Sequence, residues 1–401
     1  MTLPATKLKM DVLSPVQLLA HREQFPALGH NYYFNFGGQG PLPQPALDEM
    51  VRAYQYLQRV GPFSSQANGW VSDQVENTRQ AMAAELLVPP ETLSLTESVS
   101  GGGNIALWGC NWQPGDRLLL SDCEHPTVMA IGRQLGHRFG VQVDICPILA
   151  PLREGTLVAT LAAQVQPQTR VVAFSHVLWN TGEVLPVQQI AAACRVANPN
   201  LLIVVDAAQS VGMLPPSLGS LEVDAYAFTG HKWWCGPDGL GGLYIPPASL
   251  DQFEPTYLGW RSGPTDAQGR PTRWYPDGRR FEVATSAFPL GVGLQRALKL
   301  HGALLSPQDR YERIKMLAQQ LWDRLQSIPG VNCLLPCAPD SGLVSFQLEG
   351  VDHFQFVHQL EDQGFLLRLI KFPNCIRACV HYLTLESEIE ALYQQIQANL
   401  C

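Results

Sequence analysis

The sequence predicts an α/β fold with a mainly parallel, doubly wound sheet and a smaller α+β domain at its C-terminal end. Short apolar runs, rich in β-branched residues, alternate with amphipathic stretches of helical periodicity. The strand-like runs begin near residues 117, 141, 171, 201 and 225. This alternation is typical of βαβ units, whose right-handed connections place successive parallel strands in one sheet.

Three parts of the chain follow from this pattern. Residues 1–30 mix apolar and charged positions and are expected to form an N-terminal arm that packs with the small domain. Residues 31–288 contain the repeated βαβ units and form the large domain. Residues 289–401 alternate helical and strand-like segments and form the small domain. A chain of 401 residues can bury a substantial core in this way.

Composition excludes several classes of partner. Hydrophobic residues make up 46% of the chain and charged residues 15%, as in an ordinary globular protein. The net charge of −8 argues against nucleic acid or an anionic membrane as the main partner. No apolar run approaches the ~20 residues of a membrane span, and no signal-peptide pattern begins the chain. We therefore expect a cytoplasmic protein.

The ten cysteines do not form a metal-binding pattern. Cys333 and Cys337 form one pair at a spacing of four residues, and Cys375 and Cys379 form another. Neither pair is flanked by the tight turns that structural zinc sites use. The sequence therefore predicts no metal, and the dispersed cysteines are expected to be small buried side chains.

Two predicted strand ends in the large domain carry an acid and an amine. The run 201–205 ends in Asp206, and the short strand 225–228 leads to Lys232. Open α/β sheets bind ligands at the carboxyl ends of their strands. An amine and a carboxylate there suit pyridoxal 5'-phosphate (PLP), whose aldehyde forms a Schiff base with an amine and whose ring nitrogen needs a carboxylate. Taken singly, Asp206 could cap a helix and Lys232 could lie on the surface.

Two motifs around these residues resemble the class V branch of fold-type I PLP enzymes. They are Val205-Asp206-Ala207-Ala208-Gln209-Ser210 and Thr229-Gly230-His231-Lys232. The branch includes cysteine desulfurases, selenocysteine lyases, cystine C–S lyases, amino-acid epimerases and kynureninases, and the chain is most similar to the cyanobacterial L-cysteine/L-cystine C–S lyases. The resemblance covers nearly the whole chain. It implies a fold-type I, transferase-like, seven-stranded sheet between helices, with Gln209, Thr229 and His231 beside the cofactor.

A glycine-rich turn within residues 96–104 precedes a helical pattern. The free N–H groups and the positive dipole end of such a helix attract phosphate. The family's phosphate-cradling loop occupies this place, although its usual motif is Thr-Ser-Gly-Ala-Thr-Glu. The resemblance therefore assigns cofactor binding to Ser100, Gly101 and Gly102.

The resemblance assigns further residues to the cofactor and the substrate. His125 stands where the family has a residue that stacks on the cofactor ring. Asn180 matches the amide that faces the cofactor's phenolic oxygen, and it is also expected near the substrate. Gly37 belongs to a strand-then-Gly-Pro entry whose backbone lies near the substrate carboxylate.

A segment that resembles the family's Arg-Phe-Glu-x-Gly-Thr-Pro motif implies a homodimer. In the family this segment reaches across to the neighbouring subunit, where its threonine touches the phosphate. Thr285 takes that role here, although Ala284 and Ser286 replace the usual glycine and proline.

Two arginines of the small domain are candidates for the substrate carboxylate. Arg377 stands where the family has an arginine that clamps the amino acid, and a planar guanidinium suits a bidentate grip on a carboxylate. Arg368 stands where desulfurases carry an Arg-Thr-Gly run. Here Leu369 and Ile370 replace the threonine and glycine, and no cysteine-bearing mobile loop follows.

This departure favours β-elimination over desulfuration. A desulfurase needs an exposed cysteine of low pKa on a flexible segment, and the nearest candidate, Cys375, lies two residues before Arg377. We therefore expect a C–S lyase with Lys232, Asp206 and His125 as catalytic residues. It would convert L-cystine or L-cysteine to pyruvate, ammonia and a persulfide or sulfide, for iron–sulfur cluster assembly on an acceptor apoprotein. The alternatives are a cysteine desulfurase or selenocysteine lyase that gives alanine, a class V epimerase, and a cofactor-free binding module.

Overall fold

The computed structural model describes residues 13–400. Its strands are β1 Tyr32–Tyr33, β2 Leu93–Thr96, β3 Arg117–Ser121, β4 Gln142–Cys146, β5 Thr169–Ser175, β6 Leu202–Asp206, β7 Ala225–Thr229, β8 Gly241–Tyr244, β9 Val331–Cys333, β10 Leu343–Leu348, β11 Phe365–Leu366, β12 Arg368–Ile370 and β13 Cys375–Cys379. Its helices are α1 Pro15–Arg22, α2 Pro26–His30, α3 Gln44–Val60, α4 Ser65–Leu86, α5 Val99–Gly109, α6 Pro126–Phe139, α7 Leu149–Arg153, α8 Leu157–Gln164, α9 Val187–Ala197, α10 Phe288–Leu304, α11 Pro307–Gln326, α12 His353–Asp362 and α13 Glu386–Leu400. Within residues 13–400, no helix combines the length and the apolar character that crossing a membrane requires.

A seven-stranded sheet forms the centre of the large domain, in the order β2-β8-β7-β6-β5-β3-β4. The strands from β7 to β4 in this order run parallel, and β8 runs antiparallel to both of its neighbours. Successive residues of β5 alternate between two cores, since Ala173 packs on one face of the sheet and Phe174 on the other. Burial on both faces explains the continuous apolar runs. The predicted fold class is confirmed.

A four-stranded antiparallel sheet, in the order β12-β13-β10-β9, forms the small domain. Helices α11 and α12 pack on it. Strand β1 pairs in parallel with β11, so the entry segment near residue 32 joins the small-domain side. Helix α10 packs on α3 and α4 and adds Leu294 and Leu298 to the large core. The division at residue 289 stays a proposal, and this packing favours a boundary after Leu304.

Buried polar contacts tie the arm to the small domain. Arg22 Nη2 lies 2.6 Å from Glu388 Oε1, and His21 Nε2 is hydrogen-bonded to Tyr382 Oη at 3.2 Å. The same hydroxyl is hydrogen-bonded to His301 of α10. One cluster thus joins residues 13–30 to α10 and to the small domain, while residues 1–12 lie outside the described part, and the predicted arm of residues 1–30 stays a proposal.

Two buried histidines make the stability of the fold depend on pH. Burial lowers the pKa of His381 to about 3 and that of His176 to about 4, from an ordinary value of 6.5. The unfolded chain therefore binds these protons first as the pH falls. The free energy of unfolding keeps their full contribution above pH 6.5 and loses it as the pH falls toward 4. We expect each histidine to lower the free energy of unfolding by about 1.4 kcal/mol at pH ~5.5, relative to its value at neutral pH.

Urea unfolding of the holoenzyme at pH ~7.5 and ~5.5 measures this loss. His381 Nε2 donates to the carbonyl oxygen of Trp233 at 3.1 Å, a bond that glutamine can replace in part. His381→Gln is expected to reduce the difference between the two pH values by about 1.4 kcal/mol, even if it destabilises the protein at both. His358→Gln on the exposed face of α12 is the control. An unchanged difference in the His381 variant would contradict the prediction.

Candidate active site

A cavity of about 470 Å³ lies between the carboxyl ends of the large sheet and the small domain. Residues that are far apart in sequence meet there, because the strand ends, the entry segment and strands β12 and β13 converge. Eight of the predicted site residues line it: Gly37, Ser100, His125, Gln209, His231, Lys232, Arg368 and Arg377.

Lys232 lies in the loop after β7, and burial lowers the pKa of its amine to about 8. Arg377 acts in the same direction, whereas Asp206 opposes it. The loop is held from the side of the entry segment, where the Gly40 N–H donates to the His231 carbonyl at 2.7 Å. A Cβ at Gly40 would lie 2.1 Å from the Lys232 carbonyl oxygen, so only glycine allows this approach. A lowered pKa leaves more of the amine unprotonated and nucleophilic near neutral pH.

Asp206 ends β6, the strand next to β7. Its Oδ1 accepts the N–H of Ala208 at 2.9 Å. Burial raises the pKa of its carboxyl group, while the Ala208 N–H, Lys232 and His125 act in the opposite direction. A buried carboxylate with so few donors is stabilised by a cation placed beside it.

His125 caps helix α6, where its Nδ1 accepts the N–H of Thr127 at 3.3 Å. Its ring lies 5.5 Å from the Trp179 ring at an interplanar angle of 73°. Burial lowers the pKa of His125; Asp206 opposes this effect and Lys232 adds to it. The backbone cap and the indole therefore fix the orientation of the imidazole in the cavity wall, where it can lie on an aromatic ring.

Helix α5 presents its N-terminus to the cavity through Ser98, Val99 and Ser100. Ser98 Oγ accepts the Gly101 N–H at 3.1 Å, and the Ser98 carbonyl accepts the Gly102 N–H at 3.0 Å. A Cβ at Gly102 would lie 3.0 Å from a side chain of β7, so this glycine serves close packing on the sheet. Both N–H groups thus have partners within the chain, and binding of the cofactor by Gly101 and Gly102 stays a prediction. The first-turn N–H groups that a helix leaves without intrahelical partners, and that line the cavity, are those of Val99 and Ser100.

Gln209, Thr229 and His231 are bonded to protein neighbours. Gln209 Nε2 donates to the Gly37 carbonyl at 2.8 Å, and its Oε1 accepts the Trp233 Nε1–H at 3.0 Å. Thr229 Oγ1 lies 2.7 Å from His231 Nδ1. Gln209 and His231 line the cavity, whereas Thr229 does not. These bonds order the loop around Lys232, and contacts of the three residues with a cofactor stay a prediction.

Several buried polar atoms around the cavity lack a hydrogen-bond partner among residues 13–400. They are Asn35 Oδ1, Trp179 Nε1, Asn180 Oδ1 and Arg377 Nε. Asn180 is buried and its Nδ2 donates to the Phe372 carbonyl at 3.3 Å, which leaves only its oxygen unpaired. Buried polar atoms are normally paired, so this group of atoms suits a ligand with polar substituents.

Arg377 and Arg368 lie directly opposite each other on β13 and β12. Arg377 is buried and its Nη1 donates to the Trp179 carbonyl at 2.7 Å, whereas Arg368 is exposed. Like charges that face each other across a sheet repel. A carboxylate in the cavity would relieve this repulsion and could accept a bidentate hydrogen bond. Gly37 leaves room for it, since a Cβ there would lie 3.2 Å from Arg377 Nη2.

Thr285 lies outside this cavity. It is exposed and lines a separate cavity of about 440 Å³ together with Glu97 and Tyr257. Trp260 and Trp274 of the same region are also exposed. Within one chain the structure does not bring Thr285 to Lys232. Its expected contact with the phosphate of a neighbouring subunit stays a prediction.

Cys375 is buried in β13, and burial raises the pKa of its thiol to about 12. Its Sγ lies 4.0 Å from the Asn180 carbonyl oxygen. Among the cysteines of residues 13–400, none lines the cavity. In the described part of the chain, no thiol is therefore part of the cavity wall, although the buried Cys379 is close enough to act electrostatically on Lys232.

Seven other lining residues were not predicted as site residues: Asn35, Gly38, Gln39, Ser98, Val99, Trp179 and Ile370. Ser98 had an available signal, because a serine directly before a helical pattern is a typical N-cap. Trp179 has none, since a tryptophan beside Asn180 fits a packed core equally well.

Residues 32–390 match the family model described as "Aminotransferase class-V". The chain is also similar to two solved structures of C-DES. One is a mutant with glycine covalently linked to its PLP cofactor, at 46% identity and a TM-score of 0.92, covering 94% of this chain and 98% of that one. The other is the complex between the cystine C–S lyase C-DES and its reaction product cysteine persulfide, at 47% identity and a TM-score of 0.91, covering 93% and 99%.

Relatives with other activities match as well. Isopenicillin N epimerase from Streptomyces clavuligerus is 26% identical over 384 residues, which cover 91% of this chain and 94% of the epimerase. Cysteine desulfurase IscS from Pectobacterium carotovorum subsp. carotovorum is 31% identical over 223 residues, which cover 53% of each chain.

Proposed function

Because the chain belongs to the class-V aminotransferase family, as its motifs predicted, we propose that it is a carbon–sulfur lyase that acts on L-cystine or L-cysteine by β-elimination. The family is PLP-dependent, and PLP is the cofactor of this chain. When bound, PLP supplies an aldehyde that joins amines and a ring that withdraws electrons from the α-carbon of the substrate.

The residues around the cavity fit this cofactor. Lys232 would hold the aldehyde, Asp206 the ring nitrogen, and His125 the ring face. The N-terminus of α5 at Ser100 offers N–H groups and a positive dipole end for the phosphate. The carboxylate of Asp206 supports this assignment, since it accepts few hydrogen bonds within the chain and would gain a partner from a cationic ring nitrogen.

Proton transfer falls to Lys232. An amine with a pKa of about 8 can accept the α-proton of the substrate near neutral pH. Arg377 and Arg368 would hold the substrate carboxylate in the meantime. Loss of the α-proton then releases the β-sulfur substituent. Because a persulfide leaves more readily than a hydroxide, cystine is the favoured substrate, and with water it gives pyruvate, ammonia and thiocysteine.

The positions of the cysteines favour elimination over desulfuration. A desulfurase needs a thiolate that reaches the substrate sulfur. Cys375 is buried with a raised pKa, and no cysteine between residues 13 and 400 lines the cavity. Sulfur that departs on the substrate's own β-substituent requires no such thiolate. The similarity to the cystine C–S lyase C-DES over nearly the whole chain supports the same reaction.

Sulfur transfer and assembly are part of the same proposal. The released persulfide would supply iron–sulfur cluster assembly through an acceptor apoprotein. The enzyme would be a homodimer in which Thr285 reaches the phosphate at the neighbouring site. The exposed aromatic side chains of Tyr257 and Trp260, in the segment that precedes Thr285, support such an interface.

Racemisation is the second candidate, because isopenicillin N epimerase matches the chain over most of its length. This reaction needs a second group that returns a proton on the face opposite Lys232. Besides Lys232 and the two arginines, the titratable lining residues of the described chain are His125 and His231. His231 is bonded to Thr229, and His125 is assigned to the ring face, so elimination fits the residues better.

Products separate these reactions. Incubation of the holoenzyme with cystine is expected to give equal amounts of pyruvate, ammonia and thiocysteine, without alanine. Cys375→Ala is expected to change the rate less than about threefold, under ~1 kcal/mol, because a buried thiol takes no part in elimination. Mass spectrometry quantifies pyruvate against alanine, and the intact mass of the enzyme reports any persulfide adduct.

The exposed Cys337→Ala is the matched control for Cys375→Ala. Stoichiometric alanine, or a persulfide on Cys375 that turnover requires, would refute elimination in favour of desulfuration. Formation of a D-amino acid without pyruvate would identify an epimerase.

A further inference from the structure

Glu124, directly before His125, is a buried carboxyl group that the proposed reaction does not use. Its relative exposure is 5%. Ser121 Oγ donates to Oε1 at 2.5 Å, and Ser175 Oγ donates to Oε2 at 2.7 Å. The two serines end β3 and β5, and Ser175 is the register partner of Asp206 on β6. Glu124 therefore lies at the same carboxyl edge of the sheet as Asp206, next to the ends of β3 and β5.

Glu124 and Asp206 share one small cavity. Both line a space of about 20 Å³, room for about one water molecule. Most of the wall is apolar and includes Phe174, Val204 and Val205. In such surroundings two carboxyl groups influence each other far more strongly than they would in water.

Opposing effects act on the ionisation of the Glu124 carboxyl group. Burial raises the pKa of its carboxyl group to about 7, the two serine hydroxyls act against burial, and Asp206 adds to it. Other titratable groups also act here: Lys232 and His125 act on Asp206, Tyr226 is electrostatically coupled to Asp206, and Cys123 is coupled to Glu124. Two hydroxyl donors on one carboxyl group suit its ionised form. Glu124 can therefore carry a negative charge at neutral to alkaline pH.

We propose that Glu124 is a positioning residue. Its negative charge acts through Asp206 and favours the protonated form of bound PLP. The inference rests on the proposed function, because it takes Asp206 as the partner of the ring nitrogen. Glu124 itself touches neither the substrate nor the reacting atoms. Its role is to place a second negative charge behind the first.

Glu124→Gln tests this role, since it keeps the shape and an acceptor for a serine but removes the charge. In the holoenzyme, the pH midpoint of the visible absorbance of bound PLP is expected to fall by about one unit, because the protonated cofactor loses a neighbouring negative charge. This titration needs no turnover. Glu183→Gln is the matched control, because that half-buried carboxyl group neighbours Asp340 rather than Asp206. It should keep the wild-type midpoint.

Ser175→Ala provides a second route to the same answer. It removes one donor, so Glu124 keeps its proton to a higher pH and the cofactor midpoint should fall by a smaller amount. This variant decides the matter if Glu124→Gln does not retain PLP. Wild-type midpoints in the variants that retain PLP would overturn the proposal, and loss of PLP from both would assign Glu124 a structural role instead. Either result leaves the proposed function standing if reduction still labels Lys232 in the wild type and cystine still yields pyruvate.

Discussion

Replacement of Lys232 by alanine is expected to lower the turnover of cystine at least ~10³-fold, a loss of about 4 kcal/mol in transition-state stabilisation. One amine is assigned both the covalent attachment of the cofactor and the acceptance of the α-proton, and a methyl group can do neither. The pKa of about 8 keeps part of the amine unprotonated near neutral pH in the wild type. Its loop position, fixed by the contacts of Gly40 with His231, aims this one lysine at the cavity.

Covalent labelling checks the assignment independently of rate. Borohydride reduction followed by peptide mapping should place the cofactor on Lys232 in the wild type, whereas Lys232→Ala should bind PLP only noncovalently. Lys299→Ala, at an exposed position of α10, is the matched control and should retain the label and the activity. A reduced adduct on a different lysine would show that the site is misplaced.

The large sheet could be predicted because its strands are buried on both faces. The strand-like run predicted to begin near residue 117 coincides with the start of β3, and the run 201–205 differs from β6 by one residue. The edge strand β2, Leu93–Thr96, was not predicted. Its four residues alternate leucine with serine and threonine, a pattern too short to distinguish a strand from a loop. It becomes a strand by pairing with β8, about 150 residues away in the sequence.

Much of the candidate site could also be predicted, since ligand-binding residues concentrate at strand ends. The sequence could not show which of these polar groups form hydrogen bonds within the protein and are therefore not free to bind a ligand. The N–H groups of Gly101 and Gly102 fit a phosphate loop by composition, yet Ser98 already accepts both. Gln209 matches a family motif, yet its amide joins Gly37 and Trp233. Such bonds depend on segments that only the folded chain brings together.

The pairing of the two arginines shows the same limit. Sequence offered Arg377 and Arg368 as separate candidates for binding the substrate carboxylate. The antiparallel register of β12 and β13 places them opposite each other beside the cavity. Their proximity supports a single carboxylate-binding site, because two guanidinium groups that repel each other are stabilised by an anion bound between them.

Asp206→Ala is expected to lower kcat by about 10²-fold to 10³-fold, or ~3–4 kcal/mol, with a smaller effect on KM. The carboxylate should act mainly in the transition state, when removal of the α-proton leaves an electron pair that a protonated ring nitrogen can attract. Asp206→Asn is the matched variant, because its amide oxygen can still accept the Ala208 N–H while the charge is lost. If charge is what matters, both variants should fall together, and steady-state kinetics at saturating PLP measures this. Retention of more than about a tenth of wild-type kcat, a loss under ~1.4 kcal/mol, would count against the role of Asp206, and full activity in Asp206→Asn alone would reduce that role to its bond with Ala208.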